Sequence, residues 1–137
     1  MPSNITSSNR PRVLIVDDNG EVRRRSAAAL ERQCDVVGSV QDGSSAISSA
    51  LSLQPDVVVL DISMPGMSGL EVASRLQQAG CQARVVFLTI HEEDDIVAAA
   101  QATGAVGYVI KPRLTADLLP AVLAALEGHP FVSPHGS

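Results

Sequence analysis

The chain has 137 residues, the length of one domain, enough to bury roughly two thirds of its unfolded surface without disulfides or metals. Hydrophobic residues make up 45% and charged residues 18%, which excludes a globally disordered chain, and with aromatics at 2% the core must be built from Val, Leu, Ile and Ala. A net charge of −5 makes the chain, taken alone, a poor candidate for clamping nucleic acid, because phosphate contact needs a basic face.

The two cysteines, Cys34 and Cys81, lie far apart and lack metal-ligand spacing, so they are expected to be free thiols, buried or half-buried, in a reducing cytosol. No apolar run approaches the ~18 residues of a membrane span, and the first residues carry no apolar signal core. The expected location is therefore cytoplasmic, with no membrane contact.

Residues 1–11 read as a disordered polar leader. Order begins near Arg12, and residues 13–16, Val-Leu-Ile-Val, form a continuous apolar run suited to a strand covered on both faces. That run ends in Asp17-Asp18, after which Asn19 can cap a helix reaching about Arg32. Residues 35–40 give a weaker strand interrupted by Gly38, as an edge strand can be, and 44–53 a short helix stopped before Pro55.

Residues 56–61 form the third strand and carry Asp61 to its end, directly before the turn Ser63-Met64-Pro65-Gly66-Met67. Met64 and Met67 are read as packing for this loop. Ser68 and Glu71 match a capping box for a helix that Gly80 ends. Residues 84–89 make the fourth strand, ending in Thr89; four acids, 92–95, then open a helix that Gly104 closes. Residues 106–110 make the fifth strand, ending at Lys111-Pro112. The last helix is expected to be capped by Thr115 and to run to about Glu127, with Pro120 kinking it or shifting its start.

Five apolar strands alternating with five helices predict a three-layer α/β/α sandwich around a parallel sheet, with right-handed crossovers. Ligands and chemistry in such sheets sit at the carboxyl ends of the strands. There the chain delivers Asp17, Asp18, Asp61, Thr89 and Lys111 together. Taken alone, Asp17-Asp18 reads as a turn and helix cap, and a Thr or Lys at a strand end as incidental. The set changes that reading: three crowded carboxylates need a cation, oxygen-only ligands in an open site favour Mg²⁺, and the lysine and hydroxyl complete a pocket for a small tetrahedral dianion beside Asp61.

Residues 13–18 (Val-Leu-Ile-Val-Asp-Asp), 60–69 (Leu-Asp-Ile-Ser-Met-Pro-Gly-Met-Ser-Gly), 88–89 (Leu-Thr) and 107–112 (Gly-Tyr-Val-Ile-Lys-Pro) resemble the receiver (CheY-like) domain of bacterial two-component response regulators. The resemblance spans residues 12–128, with 129–137 as a linker or tail. It implies a flavodoxin-like fold with a five-stranded sheet in the order 2-1-3-4-5. It further implies that Asp61 accepts a phosphoryl group from the phosphohistidine of a sensor histidine kinase, stoichiometrically and not as an enzyme. By the same resemblance Asp18, Asp61 and the Ser63 backbone carbonyl bind Mg²⁺ directly and Asp17 acts through water, while Lys111 and Thr89 contact the phosphoryl oxygens. Thr89 moving toward the phosphoryl group opens space for Tyr108 to swing in, switching the surface of the fourth helix, fifth strand and fifth helix; the alternative is that Tyr108 simply packs at a strand edge. Lys111-Pro112 resembles the family's cis peptide.

Ile90 departs from the small residue common after this threonine, which points to the NarL/FixJ (LuxR-type) branch and bears on phosphorylation rate. Ser63, Ile90 and His91 are expected to tune the acyl-phosphate lifetime. The exit 126–134 resembles the linker toward a helix-turn-helix output domain in that branch. The expected function is therefore the regulatory part of a DNA-binding regulator, touching DNA only through a C-terminal domain outside these residues; the alternative is a stand-alone receiver or a non-phosphorylated pseudo-receiver acting by protein contact. Homodimers through the fourth helix, fifth strand and fifth helix, or through the first and fifth helices, are compatible with the family. A dehalogenase-type phosphatase needs Asp-x-Asp after its first strand, and a flavodoxin needs a hydroxyl-rich phosphate loop there; Asp17-Asp18-Asn19-Gly20 is neither.

Overall fold

Apolar residues that fill both faces of the four central strands dictate where the helices must go. The computed structural model describes residues 10–134. Its strands are β1 (Arg12–Val16), β2 (Asp35–Val40), β3 (Val57–Leu60), β4 (Arg84–Thr89), β5 (Gly107–Ile110) and β6 (Phe131–Val132). The helices are α1 (Gly20–Leu30), α2 (Gly43–Leu53), α3 (Gly69–Gln78), α4 (Asp94–Ala102) and α5 (Leu114–Leu126), with a 3₁₀ turn over Lys111–Arg113.

Along β3, Val58 and Leu60 face one way and Val57 and Val59 the other, because successive side chains in a strand alternate. The first pair joins Leu14, Val16, Phe87 and Ile110 against Ala46, Ala50, Val72 and Leu76 from α2 and α3, and Val97 from α4. The second joins Val13, Ile15, Leu88 and Val109 against Leu30 of α1 and Leu114, Leu118 and Val122 of α5. Each fully buried Val or Leu contributes about 1.5–3 kcal/mol, so the sandwich is stabilised from both sides of the sheet.

The sheet is parallel throughout and runs β2-β1-β3-β4-β5-β6. The expected five-strand order is present, but a sixth strand extends it. β6 lies in the stretch read as linker, where Phe131 pairs with Gly107 and Val132 with Tyr108. Order also reaches further at the other end: within the stretch read as leader, Arg10 pairs with Asp35 at 3.0 Å and donates to the Glu31 and Cys34 carbonyls. The remainder of that leader, residues 1–9, and residues 135–137 lie outside the described residues.

Several local readings hold. Asn19 caps α1, its side chain accepting from the Glu21 and Val22 N–H groups, and Ser68 Oγ accepts from Glu71 N–H at 3.2 Å to cap α3. Gly80 and Gly104 take φ +79° and +91° just after α3 and α4, where a left-handed residue ends a helix. Cys34 and Cys81 are free, buried and half-buried respectively.

Three local readings are corrected. Thr115 is not a cap: α5 starts at Leu114, flowing directly out of the 3₁₀ turn, with Arg113 at the cap position and no side-chain cap bond. Of the two effects expected of Pro120, the shifted start is ruled out, since α5 begins six residues before it and continues to Leu126 with the proline inside. The Lys111-Pro112 bond is trans, as no cis peptide occurs among the described residues. Pro112 instead enters the first turn of the 3₁₀ segment, where its fixed φ fits and its missing N–H would have had no partner. No helix among the described residues is long and apolar enough to cross a membrane.

Candidate phosphoacceptor site

β1, β3 and β5 each deliver the residue that follows them, Asp17, Asp61 and Lys111, to one place at the carboxyl edge of the sheet. Asp17 follows β1 and Asp61 follows β3; they are 1% and 3% exposed, whereas Asp18 turns out to solvent. Oxygens of all three carboxylates lie within 4.8 Å of one another. Lys111, released by β5, places Nζ 2.9 Å from Asp17 Oδ2 and 3.5 Å from Asp61 Oδ2. One ammonium is thus shared between two buried acids.

Backbone donors hold the remaining oxygens. Asp17 Oδ1 accepts from Asn19 N–H at 2.9 Å, and Asp61 Oδ1 from Ser63 N–H at 3.3 Å. The Lys111 ammonium is close to Asp17 Oδ2 but poorly aligned, leaving that oxygen sealed from solvent with a counter-charge and no hydrogen bond. Burial pushes the Asp61 carboxyl up to about 6, and the negative charge of Asp17 adds to the rise; Lys111 and the Ser63 N–H only partly offset them. A crowded, oxygen-only, net-negative cluster with an unsatisfied buried oxygen fits a hard divalent cation such as Mg²⁺.

The backbone under Asp61 is packed just as tightly. Gly69 N–H donates to the Ile62 carbonyl at 2.8 Å, and a Cβ built on Gly69 would stand 2.0 Å from the Asp61 carbonyl oxygen. The capping box accounts for Gly69 only as a spacer; the signal for its further role is its position one residue after the cap of the helix that returns beneath Asp61. Gly69→Ala is expected to destabilise the fold by about 3 kcal/mol, since backbone and not a flexible side chain must yield, and to displace Asp61. Urea unfolding and the Asp61 amide resonance check this.

Thr89 is fully buried at the end of β4, and its Oγ1 accepts from His91 N–H at 3.3 Å. His91 then joins three partners: its Nε2 lies 2.7 Å from Ser63 Oγ, its Nδ1 3.4 Å from Glu93, and its carbonyl accepts from Tyr108 OH at 2.8 Å. The residues expected to tune lifetime, Ser63 and His91, are therefore in direct contact, with Glu93 an unforeseen third member. Ile90 is 66% exposed and projects into solvent.

Tyr108 is 2% exposed and already turned inward, its ring 6.5 Å from that of Phe87. An inward swing is thus not needed from this conformation, because the hydroxyl finds its acceptor on His91 and the ring its place in the core. Burial, together with the charges of Glu93 and Glu92, pushes the Tyr108 phenol up to about 12, so it stays a hydrogen-bond donor at any physiological pH.

A parallel sheet in the order β2-β1-β3-β4-β5, covered by helices on both faces and carrying an acid cluster, a lysine and a hydroxyl at its carboxyl edge, defines a flavodoxin-like domain. The family model described as the response regulator receiver domain matches residues 13–123, and the chain belongs to that family. Transcriptional regulatory protein LiaR of Bacillus subtilis is 36% identical over 121 residues, covering 87% of this chain and 57% of that protein. The nitrate/nitrite response regulator NarL of Escherichia coli is 32% identical over 123 residues, covering 88% and 57%. Among solved structures, a LuxR-family two-component response regulator from Aurantimonas sp. superposes with a TM-score of 0.87 at 32% identity, covering 91% of each chain. The branch expected from Ile90 and the exit sequence is the one these relatives occupy. The chain spans little more than half the length of the curated relatives it matches.

Proposed function

We infer that this receiver is switched by phosphorylation of Asp61. The observation that carries the reading is the environment of that carboxylate, which is 3% exposed, crowded by Asp17 and 3.5 Å from the Lys111 ammonium. In the proposed transfer an Asp61 oxygen forms a bond to phosphorus as the P–N bond of a phosphohistidine on a sensor histidine kinase breaks, and the imidazole leaves with the bonding electron pair. Asp61 must be ionised to attack, Lys111 neutralises oxygens of the transferred group, and the Thr89 hydroxyl donates to another. Asp17, Asp18, Asp61 and the Ser63 backbone carbonyl would hold Mg²⁺, which when bound neutralises charge on the phosphoryl oxygens. For the chain's own residues the work is positioning and electrostatics.

Ser63 and His91, joined at 2.7 Å, stand where water must approach the acyl phosphate, and with Ile90 set its lifetime. Thr89 and Tyr108 both bond the backbone of His91, so a change at Thr89 reaches the α4–β5–α5 face through one residue. The proposed setting is the cytoplasm, with a LuxR-type output domain contacting DNA in the whole-length protein, and with dimers through α1–α5 or through α4–β5–α5, where β6 forms the outer edge of the face.

The test is transfer of labelled phosphate from an autophosphorylated histidine kinase in the presence of Mg²⁺. Wild type should acquire acid-labile label and Asp61→Ala none, while Asp17→Ala retains label but requires more Mg²⁺. Label retained at wild-type level on Asp61→Ala would refute the site by placing the acceptor elsewhere, and no label on wild type would leave a receiver that works by protein contact alone.

A further inference from the structure

The exit of the chain from α5 runs back along β5 and ends in a buried polar network that straddles Lys111. Gly128, at φ +78°, turns the chain, and β6 then uses the outer edge of β5. Phe131 N–H donates to the Val106 carbonyl at 2.9 Å and Ser133 N–H to the Tyr108 carbonyl at 2.8 Å. One donor further up that edge, Ile110 N–H, lies beyond the last pair of the β5–β6 ladder, Tyr108 and Val132.

The side chain of Ser133 takes over there. Its Oγ accepts from Ile110 N–H at 3.3 Å and donates to Asp117 Oδ2 at 2.7 Å. Asp117, on α5, is in turn gripped by Arg113 at 2.7 and 3.1 Å. Ser133 and Asp117 are 2% and 5% exposed, which strengthens such bonds and makes each costly to leave unmade. The residue before Lys111 and the residue two after it are therefore tied to one buried hub, and one of the two ties passes through the exit segment. Lys111 reaches Asp17 and Asp61 from between those two points.

We propose that Ser133 is a positioning residue for Lys111, so that docking of β6 and occupancy of the Asp61 site favour each other. This rests on the phosphoacceptor reading of Asp61. An anion bound beside Asp61 fixes Lys111 and with it the Ile110–Arg113 backbone, which pre-orders the partners that Ser133 must meet. A segment that docks on a pre-ordered edge loses less conformational freedom, and by reciprocity its docking tightens the anion. The strand thereby carries the state of the site to the point where the chain leaves the domain.

Amide hydrogen exchange on the full chain with Mg²⁺, with and without beryllofluoride as phosphoryl analogue, tests this together with an affinity titration. Beryllofluoride should slow exchange at Phe131 and Ser133 about fivefold or more, and Ser133→Ala should weaken beryllofluoride binding by a similar factor, with Ser133→Thr restoring it. Protection of the β1 and β3 amides in each variant reports that the fold is intact. Perturbed Ser63 and His91 amides with unchanged or faster exchange at Phe131 and Ser133 would overturn the coupling while leaving the phosphoacceptor reading in place. Silence at Ser63 and His91 would overturn both. Wild-type exchange alone decides the matter if Ser133→Ala fails to fold.

Discussion

Replacing Asp61 with asparagine is expected to stabilise the metal-free protein by about 2 kcal/mol at pH 7, an unusual outcome for a change at a buried site. The reason is linkage. The carboxyl titrates near 6 in the folded protein against 3.8 for its ordinary value, so between those pH values the folded chain binds more protons than the unfolded one. Stability must then fall as pH rises from about 4 to about 6, and the full penalty applies above that window. A carboxamide at this position would keep the shape without the charge, and Lys111 would keep Asp17 as its partner at 2.9 Å. Urea unfolding in EDTA at pH 5 and pH 7 should show wild type losing stability between the two while Asp61→Asn changes much less. Equal slopes with pH would mean that burial and Asp17 do not strain this carboxylate.

Lys111→Ala carries the opposite expectation. Two carboxylates buried side by side would lose the ammonium they share, and removing one partner of a buried ionic cluster costs about 3 kcal/mol at neutral pH. The same substitution on the Asp61→Asn background should cost only about 1 kcal/mol, because a single acid then remains, itself held by the Asn19 N–H. The double-mutant cycle, read from denaturant midpoints in EDTA, therefore yields a coupling energy of about 2 kcal/mol between Lys111 and Asp61. Additive costs would place Lys111 outside the electrostatics of the phosphoacceptor. Phosphotransfer to Lys111→Ala should also fall, because the positive charge facing the incoming dianion is gone.

These expectations rest on features that differ in how plainly they stood in the sequence. Unbroken runs such as Val57 to Leu60 announce buried parallel strands, and the residue after each run falls at the carboxyl edge by geometry alone, so the sequence itself brings Asp17, Asp61, Thr89 and Lys111 to one edge. Local caps such as Asn19 and Ser68 were legible for the same reason: they act on N–H groups two or three residues away. What stayed hidden depends on distant partners. Ser63 and His91 are 28 residues apart and Ser133 and Asp117 are 16 apart, and no periodicity links them. β6 has two residues between Pro130 and Pro134, too few for a strand pattern, and exists because the edge of β5 offers unpaired carbonyls. The inward place of Tyr108 was masked similarly, since its acceptor is a backbone carbonyl in the loop after β4.

The Ser63, His91 and Glu93 contacts meet Asp61 through the Ser63 N–H, and the Ser133 network bonds the Ile110 N–H before Lys111 and, through Asp117, the Arg113 side chain after it. Both converge on side chains that hold or face Asp61. The identity of the phosphoacceptor can be read at single-residue resolution. The protein would be phosphorylated with Mg²⁺ and a phosphohistidine donor, reduced with borohydride, which converts an aspartyl phosphate to homoserine, and mapped by peptide mass spectrometry. Homoserine at position 61, and at no other aspartate, is the predicted result; homoserine at position 17 or 18, or phosphate acquired with no homoserine at all, would contradict the account.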